Sequence, residues 1–257
     1  MAAVTQLRGV AIRSASILAL LLAWELSARL NLTTQFHLPA LSLVLQRLWT
    51  TALSGDLGLA AAQTLLRALS GFCLAAATGV LLGILTVRNR IIRWFFDPIV
   101  SLGLPLPKIA FLPLFVLWFG VYEQSKILMI AFSAVFPVIV STAAGTENVD
   151  KHLIWSARSL GTTEREVFWQ VILPAASPQI FTGLQIALPT SLIVTVVCEM
   201  ALGGYGLGAT IIGSMKMMDS TGSFAGIVAI ALLGYGLIQI LELVRRHLLG
   251  WHQESQR

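Results

Sequence analysis

Residues 156–174 read SARSLGTTEREVFWQVILP, a polar, glycine-broken and proline-ended segment set between two of the most apolar stretches of the chain. Just upstream, in ENVDKHLIWSARSLG (147–161), Val149, Leu153, Ala157 and Leu160 recur at helical spacing. The spacing predicts a helix with an apolar stripe, carrying Lys151, His152 and Arg158 elsewhere on its surface. Gly161 suits the left-handed position that closes a helix. Thr163-Glu164-Arg165-Glu166 then matches a capping box, with Thr163 as N-cap and Glu166 reaching back, and Phe168, Trp169, Val171 and Ile172 make a second helix apolar. Pro174 ends that helix or leads into the next apolar run. A bare connector needs about two to eight residues. Thr146–Leu173 is far longer and carries its own start and stop signals, so it is expected to be a knob that docks its apolar stripe in a partner's groove.

Working outward, apolar runs occur at about 14–30, 64–87, 98–119, 127–145, 178–201 and 224–249. Most reach the ~20 residues that a membrane helix needs. The chain is 56% hydrophobic and only 11% charged, against about 25% charge in soluble domains. These features predict an all-α membrane protein of six spans, one domain over 1–257, with the 146–174 loop between spans four and five. The net charge is +5, and its distribution matters more than its size. With the N-terminus inside, Arg8, Arg13, Arg88, Arg90, Arg93, Lys151, Arg158, Arg165, Arg245, Arg246 and Arg257, 11 of the 17 basic residues, fall on one side. Arg29, Arg47, Arg67, Lys108, Lys126 and Lys216 lie on the other side or within the membrane. That asymmetry is the positive-inside pattern, so both termini and the loop are expected in the cytoplasm and no nucleic-acid partner is implied. Trp24, Glu25 and Arg29 follow the first apolar run with no A-x-A site, so the first helix is read as retained.

Between the first two spans, LPALSLVLQRLW (38–49) is expected to lie along the outer surface as an amphipathic helix, while the sequon Asn31-Leu32-Thr33 is too short a pattern to carry weight. The third span is irregular: Pro105, Pro107, Lys108 and Pro113 stand near the bilayer centre, and proline breaks helices. Broken backbone at that depth must be covered by protein or face a water-filled cavity, which makes this span a candidate pathway wall. Gly79/Gly83, Gly204/Gly208 and Gly222/Gly226 have the spacing of close helix packing. GYGLGA (204–209) fits a loose dinucleotide pattern, but no strand precedes it. Cys73 and Cys198 both fall in spans and are read as small packing residues, with neither a disulfide framework nor a metal spacing.

Charged groups inside a bilayer are functional candidates, because burying one costs at least about 2.5–3.5 kcal/mol. Lys108, beside the proline break at Pro107, is positioned to attract an anion or to bond a freed carbonyl. Glu199, near the outer end of the fifth span, is a pathway candidate or a cap. Gln185 and Gln239 are hydrogen-bond glue before they are ligand contacts, and Glu25 and Arg29, four apart, pair with each other. An ion-coupled secondary transporter is the alternative reading. It needs a buried carboxylate, for which Glu199 and Glu242 are the candidates, and repeated halves, which the chain does not display. Neither H-E-x-x-H nor G-x-S-x-G occurs, and His37, His152, His247 and His252 do not converge, so an enzyme is not indicated.

The loop resembles the E-A-A…G…I-x-L-P loop of permease subunits of bacterial ATP-binding-cassette importers. Ala157, Gly161, Leu173 and Pro174 match; Trp155 and Ser156 stand where Glu and Ala are usual, and Val171 where Ile is usual. LPLPKIAFLPLFVLWFGVYEQSKI (104–127), FTGLQIAL (181–188) and CEMALGGYGLG (198–208) are similar to the nitrate, sulfonate and taurine branch, and the resemblance spans roughly 35–250. It implies the type I importer transmembrane fold with a coupling helix, contacting the ATPase through Val149, Leu153, Ala157, Arg158, Leu160 and Gly161. It also implies two permease copies forming a homodimer, two cytoplasmic ATPase subunits and a periplasmic or extracellular substrate-binding protein, in a bacterial inner membrane. The chain lacks G-x-x-x-x-G-K-[ST], so ATP and Mg belong on the partner ATPase. The solute implied is a small anion such as an alkanesulfonate, taurine or nitrate.

Overall fold

The computed structural model describes residues 2–30 and 32–250, with side chains described from residue 15 onward. Asn31 of the sequon, His252 and Arg257 lie outside the described residues, as do the side chains of Arg8 and Arg13. The elements are helices α1 (Ala2–Arg29), α2 (Leu41–Leu53), α3 (Asp56–Arg88), α4 (Arg90–Gly103), α5 (Leu112–Phe119), α6 (Glu123–Glu147), α7 (Lys151–Ser159), α8 (Glu164–Val167), α9 (Leu173–Leu202), α10 (Leu207–Lys216) and α11 (Ser220–Leu248).

Among the described residues, four helices are long and apolar enough to cross a membrane: Asp56–Arg88, Glu123–Glu147, Glu164–Leu202 and Ser220–Leu248. A fifth crossing is the pair Arg90–Gly103 and Lys108–Phe119, bent by 102°. The third span therefore begins earlier than residue 98 and folds sharply at Leu104–Pro107. Pro105 and Pro107 withhold the N–H groups a helix would use there, and the chain resumes with a 3-10 turn at Lys108–Phe111. Of the first expected span, 14–30, residues 14–29 belong to α1, with Ile17, Leu20, Leu22 and Leu26 more than half exposed.

Small residues set the core. A Cβ added at Gly79 would stand 2.7 Å from the Val138 Cβ, and one at Gly83 2.6 Å from the Thr142 Cβ. Gly71 likewise faces Ile130. These contacts climb together along both chains, so α3 and α6 run parallel at near backbone contact. α9 runs antiparallel to α6: Gly145 faces Gln179, Gly183 faces Ser141, and Met129 and Ile130 pack with Val194 and Cys198. Ala75, Ala134, Val138 and Ala187, all fully buried, fill the three-helix seam. Between lipid-bathed helices such close approach, rather than water exclusion, holds the bundle. Cys198 packs in this core, whereas Cys73, expected to pack, is exposed on the side of α3 turned away from it.

The helix directions give the bundle two ends. One carries the end of α3, the start of α4, the 146–174 loop and the end of α11, and with them Arg88, Arg90, Arg93, Lys151, Arg158, Arg165, Arg245 and Arg246. The other carries α2, the start of α6, the end of α9 and α10. α2 is tied to α1 there: the Trp24 indole donates to the Pro39 carbonyl at 2.9 Å, and Glu25 accepts from the Ser42 N–H at 3.1 Å and from Arg29 at 2.6 Å. α10 was not anticipated as a separate element; its ten residues follow a glycine-rich turn that masks them as loop.

Candidate coupling loop and membrane pathway

In the 146–174 loop, Asp150 caps α7 by accepting from the His152 N–H at 2.8 Å. Gly161 stands at φ +85°, and the Thr162 N–H and hydroxyl return to the Ala157 carbonyl at 3.3 and 2.7 Å. The capping box forms reciprocally: the Thr163 N–H donates to Glu166 at 2.7 Å, and the Glu166 N–H donates to the Thr163 hydroxyl at 3.3 Å. Beyond the membrane, the bonds that the Thr163 N–H and hydroxyl donate to the Glu166 carboxyl, at 2.7 and 2.8 Å, hold it below the usual carboxylate range. Arg158 and Glu164 pair across the turn at 2.8 Å.

One local expectation changes. The apolar stripe divides, because α7 starts only after Asp150: Val149 precedes the helix and is buried against Ala176 and Ile180, and Ala157 is half-buried. Leu153, Trp155 and Leu160 instead face outward, 52, 57 and 84% exposed. Val149 thus anchors the loop to α9, and the other three make its free face. Of the two readings of Pro174, entry into the next apolar run holds: a π turn at Phe168–Ile172 joins α8 to α9, and Pro174 lies just after that irregular turn, at the start of α9. The knob is therefore continuous with a membrane helix.

At the break in the third span, Leu104, Leu106 and Pro107 are exposed. The Lys108 ammonium donates to the Leu104 carbonyl at 2.8 Å and stands 5.4 Å from the Phe136 ring centroid. Gln185 is engaged elsewhere: its amide nitrogen donates to Glu242 at 2.8 Å and its oxygen accepts from Arg245 at 3.4 Å, tying α9 to α11.

Glu199 is fully buried, so in this arrangement it lines no path. Its carboxylate accepts from the Gly208 N–H at 3.0 Å, the Thr64 hydroxyl at 2.9 Å and Arg67 at 2.7 Å, while the Leu207 N–H donates to Thr64 at 2.9 Å. It caps α10 across the bundle. Gly206, at φ +134°, passes so close that a Cβ would strike that carboxylate, which explains GYGLG without any dinucleotide. Arg67 also donates to the Tyr205 carbonyl and, from Nε and Nη2, to Glu123; Lys126 reaches Glu123 at 3.5 Å and the Gly203 carbonyl at 3.3 Å. Two cations and two carboxylates thus bind α3, α6, α9 and the 203–208 turn. Leaving such a buried charge without its partner costs about 3–5 kcal/mol. Sequence reasoning missed this network: Arg67 and Glu199 are 132 positions apart, and the only local signal was charge inside apolar runs.

Residues 75–249 match the family described as "Binding-protein-dependent transport system inner membrane component". The chain belongs to this family. The permease is 34% identical to the taurine transport system permease protein TauC of Escherichia coli K12, over 97% of this chain and 92% of that one. It is 32% identical to the putative aliphatic sulfonates transport permease protein SsuC of Bacillus subtilis 168, over 91% and 84% of the two chains. Its fold matches a chain in the crystal structure of an amino acid ABC transporter, with a TM-score of 0.61 at 18% identity, covering 78% of the permease and 97% of that chain. The permease is thus a multi-pass inner-membrane subunit of an ABC importer, a transport component rather than an enzyme. ATPase and substrate-binding protein partners follow from that membership.

Proposed function

We propose that this permease forms, as one of two identical copies, the translocation path of an importer for a small organic anion of the sulfonate class. The observation that carries the solute class is the 34% identity to a taurine permease over 97% of the chain. The concentration of eight basic residues at the end bearing α7 supports placing that end, and both termini, in the cytoplasm. There the outward trio Leu153, Trp155 and Leu160 seats in a groove on an ATPase subunit, one per permease, with ATP and Mg held by that partner. Because α7 is joined through α8 to α9, closure of the ATPases tilts a membrane helix, and ATP shifts the permease by the difference in affinity between its two states. The exposed break at Leu104–Pro107, with Lys108 beside it, needs a second copy or a water-filled path to cover its carbonyls, which supports Pro107 and Lys108 as wall residues.

The test is uptake of labelled taurine into vesicles holding the permease, its ATPase and its binding protein. Uptake that requires internal or external ATP at the ATPase face is expected. Uptake driven by an ion gradient without the ATPase would reinstate the ion-coupled reading.

A further inference from the structure

This inference deepens the anionic-solute reading and rests on it. The five donors of Arg67 are divided between two kinds of partner. Nη1 is held by Glu199, whose side chain is 0% exposed, and by the Tyr205 carbonyl. Nε and Nη2, the other edge of the guanidinium, are both taken by Glu123, whose side chain is 54% exposed. One edge is structural and the other is exchangeable. A cavity of about 400 Å³ opens on the exchangeable edge, lined by Gln63, Leu66, Arg67, Ser70, Glu123 and Ile127. A second, of about 380 Å³, shares Gln63 and Tyr205 with the first. Gln63 is one helical turn before Arg67, so both occupy one face of α3. Its amide oxygen is buried and has no hydrogen-bond partner, an acceptor waiting for a donor.

We propose that the Nε/Nη2 edge of Arg67 is an anion-receiving fork, occupied here by Glu123 and yielded to the sulfonate of an amino-sulfonate zwitterion whose ammonium meets the Gln63 amide oxygen. A sulfonate offers the paired oxygens that a guanidinium fork accepts, as a carboxylate does. Charge favours the exchange. The two cations and two carboxylates balance, and Glu123 is the only one of the four that is more than half exposed, so an incoming anion sends it to water rather than stranding it. Lys126, 3.5 Å from Glu123, remains close to the displaced carboxylate, while its own 4% exposure keeps it from serving as the receptor. The site stands at the end of the bundle opposite α7, where solute arrives from outside.

The test uses the permease–ATPase complex in lipid nanodiscs without binding protein, with labelled taurine and labelled ethanesulfonate in equilibrium dialysis. Glu123→Gln removes the competing charge and is expected to tighten both ligands about tenfold. Gln63→Leu removes the acceptor and is expected to weaken taurine about fivefold while leaving ethanesulfonate within about twofold. Should Glu123→Gln not assemble, the taurine-against-ethanesulfonate split of Gln63→Leu decides alone. Variants that bind both ligands as the wild type does, in a complex that takes up taurine when supplied with ATP and binding protein, overturn this inference and leave the sulfonate importer intact. A wild-type complex that takes up no sulfonate overturns both.

Discussion

Gly161 separates conformation from contact. At φ +85° it occupies the left-handed region, yet a Cβ added there meets nothing within 4 Å. A side chain at 161 therefore acts only through the backbone, at about 1–2 kcal/mol for an ordinary L-residue and more for a β-branched one. Asn tolerates this conformation and Val does not. Gly161→Val is expected to lower taurine taken up per ATP hydrolysed several-fold in reconstituted vesicles, with Gly161→Asn near wild type. Equal coupling ratios in the two variants would show that the turn does not set the knob's geometry. Leu160, at 84% exposure, is held by that same turn, which is why one dihedral angle reaches the exposed apolar face.

At the scale of elements, helix starts and stops were legible because their signals lie within three or four residues of one another: the Thr163–Glu166 box and the Gly161 closure both form as their letters indicate. The spacing of Gly79 and Gly83 announced a close packing face, and α6 is the helix that meets it. Gly83→Val places a side chain 2.6 Å from the Thr142 Cβ and 2.9 Å from the Ile139 carbonyl, so the two helices must part. Overpacking of this kind costs about 1–3 kcal/mol. A Tm lowered by several degrees in detergent is expected for Gly83→Val. Gly58→Ala, at a site with nothing within 4 Å, is expected to hold or raise it. What the letters did not disclose was long-range. The 102° fold of the third span follows from prolines that forbid helix without dictating direction, the division of the Val149–Leu160 stripe depends on where α9 stands, and the Glu199 cap joins residues from three helices.

For the whole molecule, the two ends differ in charge and in shape. One end concentrates basic residues and an exposed apolar trio on a loop rigidly continued into α9. The other is bound by a four-charge network that opens on two cavities beside Tyr205. α9 spans both, from the π turn after Val167 to Glu199, so one continuous helical run joins the loop to the four-charge network. The coupling claim is tested most directly by cysteine cross-linking from Leu160→Cys in the assembled importer, in a Cys73→Ala background, with Leu53→Cys at the opposite end as the comparison. A cross-link to the ATPase subunit from position 160 and none from position 53 is predicted. An importer that transports with ATP yet links to its ATPase from position 53, or not at all from position 160, would contradict both the orientation and the role of the loop.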